Sequence, residues 1–292
     1  MFLMKTLKVQ RNKYMILSFF LIFSLILTGC TKNDGSDITT KYSGEITTKQ
    51  PVASGTVVYK QEPITIDASN TSQGYVMISC TDSSTKYKVR IVSGDSTYTY
   101  DLATSGDYDV FPLQMGSGDY TLVVYKNTSD SNYEVSYAQE ISVSLEDDNI
   151  TFIYPNLYVW YTNYDNAVKI SYDLCADAKD DAERVDLVYN YVVSHMTYDY
   201  DKAETVQSGY VPNVDKVLAK GKGICFDYAA ITGAMLRAHN IPTRLVMGNL
   251  YLNGEDVYHA WNEVYVNGEW IWYDTTFDNQ NPQSDYTAEG DY

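Results

Sequence analysis

The amino-acid sequence predicts an α+β protein, in which a small all-β sandwich domain precedes a domain with a helix packed on an antiparallel sheet. Three observations support this fold class. Short β-rich runs separated by turn clusters fill residues 57–143, a pattern typical of antiparallel sandwiches. Beyond Trp160 the apolar residues follow the helical period. Alternating strands then return over residues 244–275, where Asn267-Gly268 is a strong hairpin signal.

The first 30 residues predict an export signal. Four basic residues precede an apolar run over residues 15–27, and Thr28-Gly29-Cys30 follows it. The run is short for a membrane span, and small residues before a cysteine are typical of a cleavage site. The segment resembles a bacterial lipobox, which implies a signal peptide at 1–29 and a lipid on Cys30. We therefore expect a lipoprotein anchored at the extracytoplasmic face of the cell membrane; an uncleaved signal anchor is the alternative.

Composition divides the rest of the chain into a linker and two domains. Residues 30–55 contain few large apolar groups, so burial cannot offset the entropy of ordering them, and we expect a flexible linker. A polar stretch at residues 145–149 marks a boundary. It separates the predicted β-sandwich domain, residues 56–147, from a second domain, residues 148–292.

The chain is strongly acidic, with a formal net charge of -17 at pH 7. The four charged residues of the leader are all basic, so residues 30–292 alone carry a formal charge of -21. Such a surface repels polyanions. We therefore expect no nucleic acid partner, and membrane attachment only through the N-terminal lipid.

Three cysteines remain after Cys30, namely Cys80, Cys175 and Cys225. Three cysteines do not make a disulfide framework, and the absence of a C-x-x-C pair in the sequence argues against a zinc site. One free, reactive thiol fits the pattern better.

The predicted sandwich domain contains no histidine and no catalytic cluster. We interpret it as a spacer or adaptor. Its tyrosines suit half-exposed strands, although aromatic rings also serve as platforms for sugar or peptide.

Cys225 stands at the start of a predicted helix. Gly221 and Gly223 give the backbone freedom just before it, and residues 229–239 have a helical pattern. In the first turn, free N–H groups and the positive end of the helix dipole favour a thiolate, the form that attacks carbonyl carbon. The alternative is a small apolar residue that packs a buried helix.

The hairpin at Asn267-Gly268 places a histidine beside a carboxylate. If the turn has two residues, Trp261 faces Asp274 across the ladder, and His259 is the diagonal neighbour of Asp274 on the same face. Diagonal partners lie about 7–8 Å apart at their Cα atoms, within reach of an imidazole and a carboxylate. A bulge would shift this register.

Only one of the three histidines in the sequence has a predicted carboxylate neighbour. His195 and His239 lie at predicted helix ends, where a polar residue needs no special purpose. Considered by itself, His259 would also fit a structural role. A base oriented by an acid, together with a thiol at a helix terminus, is the constellation of nucleophilic catalysis. We therefore predict that Cys225, His259 and Asp274 are catalytic.

Three motifs resemble those of the transglutaminase-like superfamily, in that family's order. They are Gly223-Ile224-Cys225-Phe226-Asp227-Tyr228, His259-Ala260-Trp261-Asn262-Glu263-Val264 and Trp272-Tyr273-Asp274-Thr275-Thr276. The resemblance covers roughly residues 165–280 and implies a papain-like α+β core. It also implies that Cys225 is the nucleophile, His259 the general base and then acid, and Asp274 the orienting group, with Tyr198 a candidate donor to the oxyanion hole.

The sequence departs from the family pattern in two places. Asn240 stands where a glycine is usual, and residues 278–292 are polar and turn-like, whereas family members often continue with further strands. The core is then either minimal or open at this end.

The resemblance implies acyl transfer through a thioester on amide bonds of proteins or peptides, including cell-wall peptide. We expect hydrolysis by a peptidase or amidase; a cross-linking transglutaminase is the alternative. A non-catalytic surface protein that binds peptide or cell-wall polymer is a rival from another class. A zinc site built from the three predicted residues would lack a fourth ligand. The sequence contains no calcium loop or metal-ligand spacing, so we expect activity without a cofactor.

Overall fold

The structure is a computed structural model that describes residues 42–252, 254–278 and 286–292. The predicted signal peptide, Cys30 and the first part of the predicted linker lie outside the described residues. Residues 41–292 belong to one compact unit. In the described part of the chain, no helix combines the length and the apolar character that crossing a membrane requires.

Two antiparallel four-stranded sheets form the predicted sandwich. One sheet has the strand order β1-β2-β3-β6 and the other β5-β4-β7-β8. Alternation along each strand gives each sheet an apolar face, and side chains such as Ile66 and Ile78 from one sheet meet Val89 and Leu122 from the other in one core. The strands are β1 (Val58–Gln61), β2 (Ile64–Asp67), β3 (Tyr75–Cys80), β4 (Tyr87–Ser93), β5 (Ser96–Leu102), β6 (Tyr108–Pro112), β7 (Gly118–Ser129) and β8 (Asn132–Val143).

The segment after the sandwich covers the outer face of the first sheet. It contains a short 3-10 helix, Ile150–Phe152, and Ile150 and Tyr154 pack against Met77 and Val110. All six residues of β3 are buried as a result. The sandwich and the residues that follow it therefore share apolar surface.

Residues 42–55 correct the expectation of a flexible linker. The N–H of Thr48 donates to Asn163 Oδ1 at 2.9 Å, and the N–H of Val52 donates to the hydroxyl of Tyr75 at 3.1 Å. Distant side chains satisfy the backbone of this segment. Local composition gives no sign of such partners, which is why the sequence predicted flexibility here.

Five helices and a short parallel bridge are described after residue 160. The second helix is capped at its start, because the carboxylate of Asp180 accepts the N–H of Glu183 at 2.9 Å. The third helix was not predicted from the sequence. In chain order the elements are α1 (Asn166–Leu174), α2 (Asp181–His195), β9 (Thr197–Tyr198), α3 (Tyr200–Thr205), α4 (Val214–Lys220), β10 (Lys222–Gly223) and α5 (Cys225–Arg237).

A third antiparallel four-stranded sheet has the order β13-β12-β11-β14. The predicted hairpin register is confirmed: Asn262 lies opposite Tyr273. Asn267 and Gly268 have φ angles of 56° and 87°, the positive values that this two-residue turn requires. The strands are β11 (Thr243–Leu252), β12 (Glu255–Val266), β13 (Glu269–Tyr273) and β14 (Tyr286–Asp291).

Strand β14 corrects the expectation of a turn-like end. It pairs antiparallel with β11 and forms an edge of the sheet. Gly248 permits the close approach, because a Cβ atom there would lie 2.0 Å from the carbonyl oxygen of Thr287. Half of the residues of β14 are exposed and none is buried, as suits an edge strand, so the sequence shows no alternation that would predict it.

Helix α5 is the centre of the second part of the molecule. Its residues from Asp227 to Arg237 are all buried, between β11 and β12 on one side and α1, α2 and α4 on the other. The amide of Asn262 on β12 donates to the carbonyl of Ala229 at 3.1 Å. The core of a helix packed on an antiparallel sheet, preceded by a sandwich, is thus confirmed.

Candidate active site

Cys225 is the first residue of α5. A Cβ atom on Gly223 would lie 2.8 Å from the Cβ of Asp227, so glycine is required beside the first turn of the helix. The bridge between β9 and β10 sets Gly223 opposite Tyr198. These contacts fix the chain that leads into the nucleophile helix.

The three cysteines of the described residues are all unpaired, but they differ in exposure. Cys80 and Cys175 are buried. Burial raises the pKa of the Cys80 thiol, and it raises the pKa of the Cys175 thiol to about 11. Cys225 is partly exposed. Of the described thiols, Cys225 is therefore the one that a reactant can approach.

Asp227, two residues after Cys225, is a buried carboxylate with three partners. Its Oδ2 accepts the N–H of Ile224 at 2.8 Å and the ammonium of Lys202 at 2.6 Å. Its Oδ1 accepts the hydroxyl of Tyr210 at 2.5 Å. A negative charge suits the first turn of a helix, and Lys202 compensates its burial. The network holds the turn on which Cys225 stands.

His259 and Asp274 meet as the hairpin register predicts. His259 Nε2 lies 2.7 Å from Asp274 Oδ2; His259 is 4% exposed and Asp274 is fully buried. The other carboxylate oxygen, Oδ1, accepts the N–H groups of Thr276 and Phe277 at 2.8 and 3.3 Å. Asp274 is thus fixed at both oxygens, and it orients the imidazole so that Nδ1 is left for another partner.

Besides Asp274, the thiol of Cys225 acts on the imidazole, because it is among the groups that raise the pKa of His259. Burial alone would lower the pKa of His259. Hydrogen bonds to Asp274 and Cys225, together with the charges of both groups, outweigh burial and raise the pKa of His259 to about 9. The structure therefore brings together all three residues predicted from the sequence. An imidazolium between a sulfur and a carboxylate can stabilise a thiolate and deliver a proton.

Aromatic side chains enclose the imidazole. The ring centres of Trp261, Phe277 and Tyr286 lie 6.2, 5.1 and 5.9 Å from that of His259. Trp261 is buried, whereas Phe277 is 51% exposed. By excluding water on these sides, the rings strengthen the interaction between His259 and Asp274.

Tyr286 is a site residue that the sequence analysis missed. Its hydroxyl donates to Asp274 Oδ2 at 2.9 Å, the same oxygen that faces the imidazole. The residue lies on β14, whose pairing was not predicted. Its contact with Asp274 depends on that pairing, so no local signal could have found it.

The charge of Cys225 acts on two tyrosines. Burial, followed by the charge of Cys225, raises the pKa of Tyr198. Burial, Glu289 and Cys225 likewise raise the pKa of Tyr258. Both hydroxyls are thus protonated at neutral pH and can act as hydrogen-bond donors.

The other two histidines lie among different partners. His195 stacks on Tyr191 with ring centres 3.9 Å apart. His239 hydrogen-bonds to the hydroxyl of Ser171 at 3.0 Å, and burial lowers its pKa to about 4. Within the described ranges, no group of three or more His, Cys, Asp or Glu side chains is arranged to hold a metal ion.

The sandwich reaches the neighbourhood of the nucleophile. Phe226 packs against Tyr158 at 5.4 Å between ring centres. Tyr158 packs against Tyr100 on β5 at 5.6 Å and against Tyr292 at 4.9 Å. A series of ring contacts therefore joins β5 to the first turn of α5.

Residues 168–275 match the sequence model of the Transglutaminase-like superfamily. The match begins in α1 and ends directly after Asp274, so it contains Cys225, His259 and Asp274. It confirms the family resemblance on which the sequence analysis drew.

Two known proteins match parts of the chain. Kyphoscoliosis peptidase of Mus musculus is 29% identical over 113 residues, which are 36% of this chain and 17% of that protein. UPF0252 protein MJ1282 of Methanocaldococcus jannaschii is 30% identical over 132 residues, which are 41% of this chain and 36% of that protein. The chain thus spans well under half the length of each of these relatives.

The solved structures that match parts of this chain include a proposed cysteine protease from Cytophaga hutchinsonii. It has 17% sequence identity and a TM-score of 0.43, and the match covers 75% of this chain and 83% of that one. Red sea bream transglutaminase has 13% identity and a TM-score of 0.31, with 74% and 49% of the two chains covered.

Proposed function

We propose that the protein is a cysteine-dependent enzyme that cleaves amide bonds of proteins or peptides and passes the acyl group on through a thioester. The basis is that residues 168–275 match the transglutaminase-like superfamily. One observation carries the proposal: His259 lies 2.7 Å from Asp274, and both Asp274 and Cys225 raise the pKa of its imidazole. A thiol, a base and an orienting acid in this order are what nucleophilic catalysis requires.

Acylation begins at Cys225. The imidazolium of His259 stabilises the thiolate, whose sulfur attacks the carbonyl carbon of the substrate amide. The developing oxyanion needs donors in the positions it will occupy. The backbone N–H of Cys225 at the start of α5 is one such donor, and we assign the hydroxyl of Tyr198 as the second.

Collapse of the tetrahedral intermediate breaks the carbon–nitrogen bond. His259 gives its proton to the leaving amine, and the acyl group remains on the sulfur as a thioester. His259 is then neutral and takes a proton from the incoming nucleophile, which attacks the thioester and releases Cys225. Asp274 keeps the imidazole oriented throughout both steps.

We propose that water is the usual second nucleophile, so that the reaction is hydrolysis. The name of one relative, kyphoscoliosis peptidase, agrees with this. Transfer to a primary amine, as in a cross-linking transglutaminase, is the alternative for the same thioester.

The test is to incubate the purified protein with surface proteins and cell-wall peptides in the presence of a labelled primary amine. Mass spectrometry should find cleaved peptides with the native protein and none with Cys225→Ala. Label in the products instead of free carboxyl groups would show transfer rather than hydrolysis. If the native protein and Cys225→Ala behave alike, and both only retain the peptides, the protein is a binding protein and the proposal fails.

We also propose that the enzyme acts at the extracytoplasmic face of the membrane, held by a lipid on Cys30. The support is the sequence of residues 1–30. The mature protein should partition into the detergent phase and begin at Cys30, whereas Cys30→Ser should abolish lipid attachment. A purified membrane form that retains residues 1–29 would point to an uncleaved signal anchor instead.

A further inference from the structure

Asp274 has a second side-chain partner besides His259. The hydroxyl of Tyr286 donates to Asp274 Oδ2 at 2.9 Å, and the same oxygen lies 2.7 Å from His259 Nε2. Backbone N–H groups occupy the other oxygen, Oδ1. One carboxylate oxygen is therefore shared between an imidazole and a phenol.

The phenol ring is held in place by its surroundings. Its centre lies 5.3 Å from that of Trp261 and 4.8 Å from that of Trp272, in edge-to-face contacts. The two indoles are buried in a cluster with Val246. Tyr286 also pairs with Leu250 through the strand register. Packing and register together aim the hydroxyl at Asp274, so it is a directed donor.

We infer that Tyr286 is a positioning residue of the reaction proposed above: its hydroxyl takes up part of the charge of Asp274 Oδ2 and so sets how firmly His259 holds its proton. The inference rests on the proposed function. Without the hydroxyl, Oδ2 of Asp274 would accept a hydrogen bond from His259 but none from Tyr286, and the imidazolium would be more stable. It would then give its proton less readily to the leaving amine.

The titratable groups that face His259 come from three elements. Asp274 follows β13, Cys225 begins α5, and Tyr286 lies on β14. Asp274 and Cys225 favour the protonated imidazole directly. Tyr286 acts on it through Asp274, since its hydroxyl is bonded to the carboxylate.

The test compares the native protein with Tyr286→Phe, which keeps the ring and removes only the hydroxyl. NMR titration of the His259 ring should show a midpoint about half a pH unit higher in the variant. The kcat for a peptide substrate should fall about three- to tenfold, with KM unchanged because the hydroxyl is engaged by Asp274. Tyr251→Phe is the matched control: Tyr251 is half-exposed on β11, and its variant should alter neither quantity.

Tyr286→Leu separates the hydroxyl from the ring. Its His259 should titrate where that of Tyr286→Phe does, while its thermal midpoint falls because the contacts with the two indoles are lost. A His259 midpoint that stays unchanged or moves down in both variants overturns the inference and leaves the proposed function intact. A native protein without Cys225-dependent turnover overturns the proposed function, and with it the role of Tyr286.

Discussion

At the scale of single residues, the protonation of His259 determines the charge at the centre of the site. Its pKa is raised to about 9, whereas burial lowers that of His239 to about 4. We expect NMR titration of the native protein to resolve these two histidines on opposite sides of the ordinary value of about 6.5. Asp274→Asn should lower the His259 midpoint, and Asp256→Asn, which changes an exposed carboxylate on β12, should leave it in place. A native His259 that titrates near 6.5 would contradict the geometry.

The raised pKa also predicts how stability depends on pH. A histidine whose pKa is higher in the folded protein binds its proton more tightly there than in the unfolded chain. The contribution of His259 is therefore complete below about pH 6.5 and is lost as the pH rises through about 9. Chemical denaturation should show this fall in the free energy of unfolding for the native protein and a smaller fall for Asp274→Asn.

Sequence reasoning reached Cys225, His259 and Asp274 because each has a local signal. Two glycines precede the helix start at Cys225, and a two-residue turn sets the register between His259 and Asp274. Tyr286 and Lys202 have no such signal. Their contacts join segments distant along the chain, and only the folded arrangement shows them.

At the scale of elements, the first turn of α5 depends on the ion pair between Lys202 and Asp227. Asp227 is fully buried, and Lys202 lies on the short helix α3. Lys202→Met would leave the carboxylate without its cation, so we expect the free energy of unfolding to fall by about 2 kcal/mol. Urea denaturation followed by circular dichroism measures this, and the alkylation rate of Cys225 should also fall.

Lys220→Met is the matched control for this change. Lys220 is 60% exposed in its pair with Asp199, and Lys222 binds the same carboxylate at 3.1 Å. We expect a loss of less than about 1 kcal/mol. Equal losses in the two variants would show that Lys202 is an ordinary surface partner.

The hydrophobic periodicity and the turn residues of the sequence predicted most elements, but three features were not predicted. The helix α3 was not predicted, β14 was expected to be turn-like, and residues 42–55 were expected to be flexible. In each case a contact with a distant part of the chain holds the segment: Asp227 binds Lys202 of α3, Gly248 lies against β14, and Asn163 accepts from Thr48. Local pattern cannot reveal such partners.

At the scale of the whole molecule, the guanidinium of Arg237 links three segments. Fully buried, it donates to the carbonyl oxygens of Tyr154, Thr243 and Tyr292 at 3.1, 2.8 and 2.6 Å. The segment after the sandwich, the start of β11 and the end of the described chain therefore meet at one side chain of α5. Arg237 thus holds the segment that follows the sandwich against the core.

We therefore expect the sandwich and the core to unfold together. All four tryptophans lie at or beyond residue 160, so tryptophan fluorescence reports on the core, while far-ultraviolet circular dichroism also follows the sandwich strands. The two signals should give coincident transitions in urea. A fluorescence transition that clearly precedes or follows the other would show two domains that unfold independently.

The central claim is that His259 activates Cys225, and the alkylation rate of Cys225 tests it most directly. A thiolate held by an imidazolium reacts with iodoacetamide at pH 6, where an ordinary thiol is almost entirely protonated. Peptide mapping should place the fast modification on Cys225 rather than on Cys80 or Cys175. We predict that His259→Ala slows it at least about tenfold at this pH. A slow native reaction at pH 6, unchanged in His259→Ala, would contradict the account.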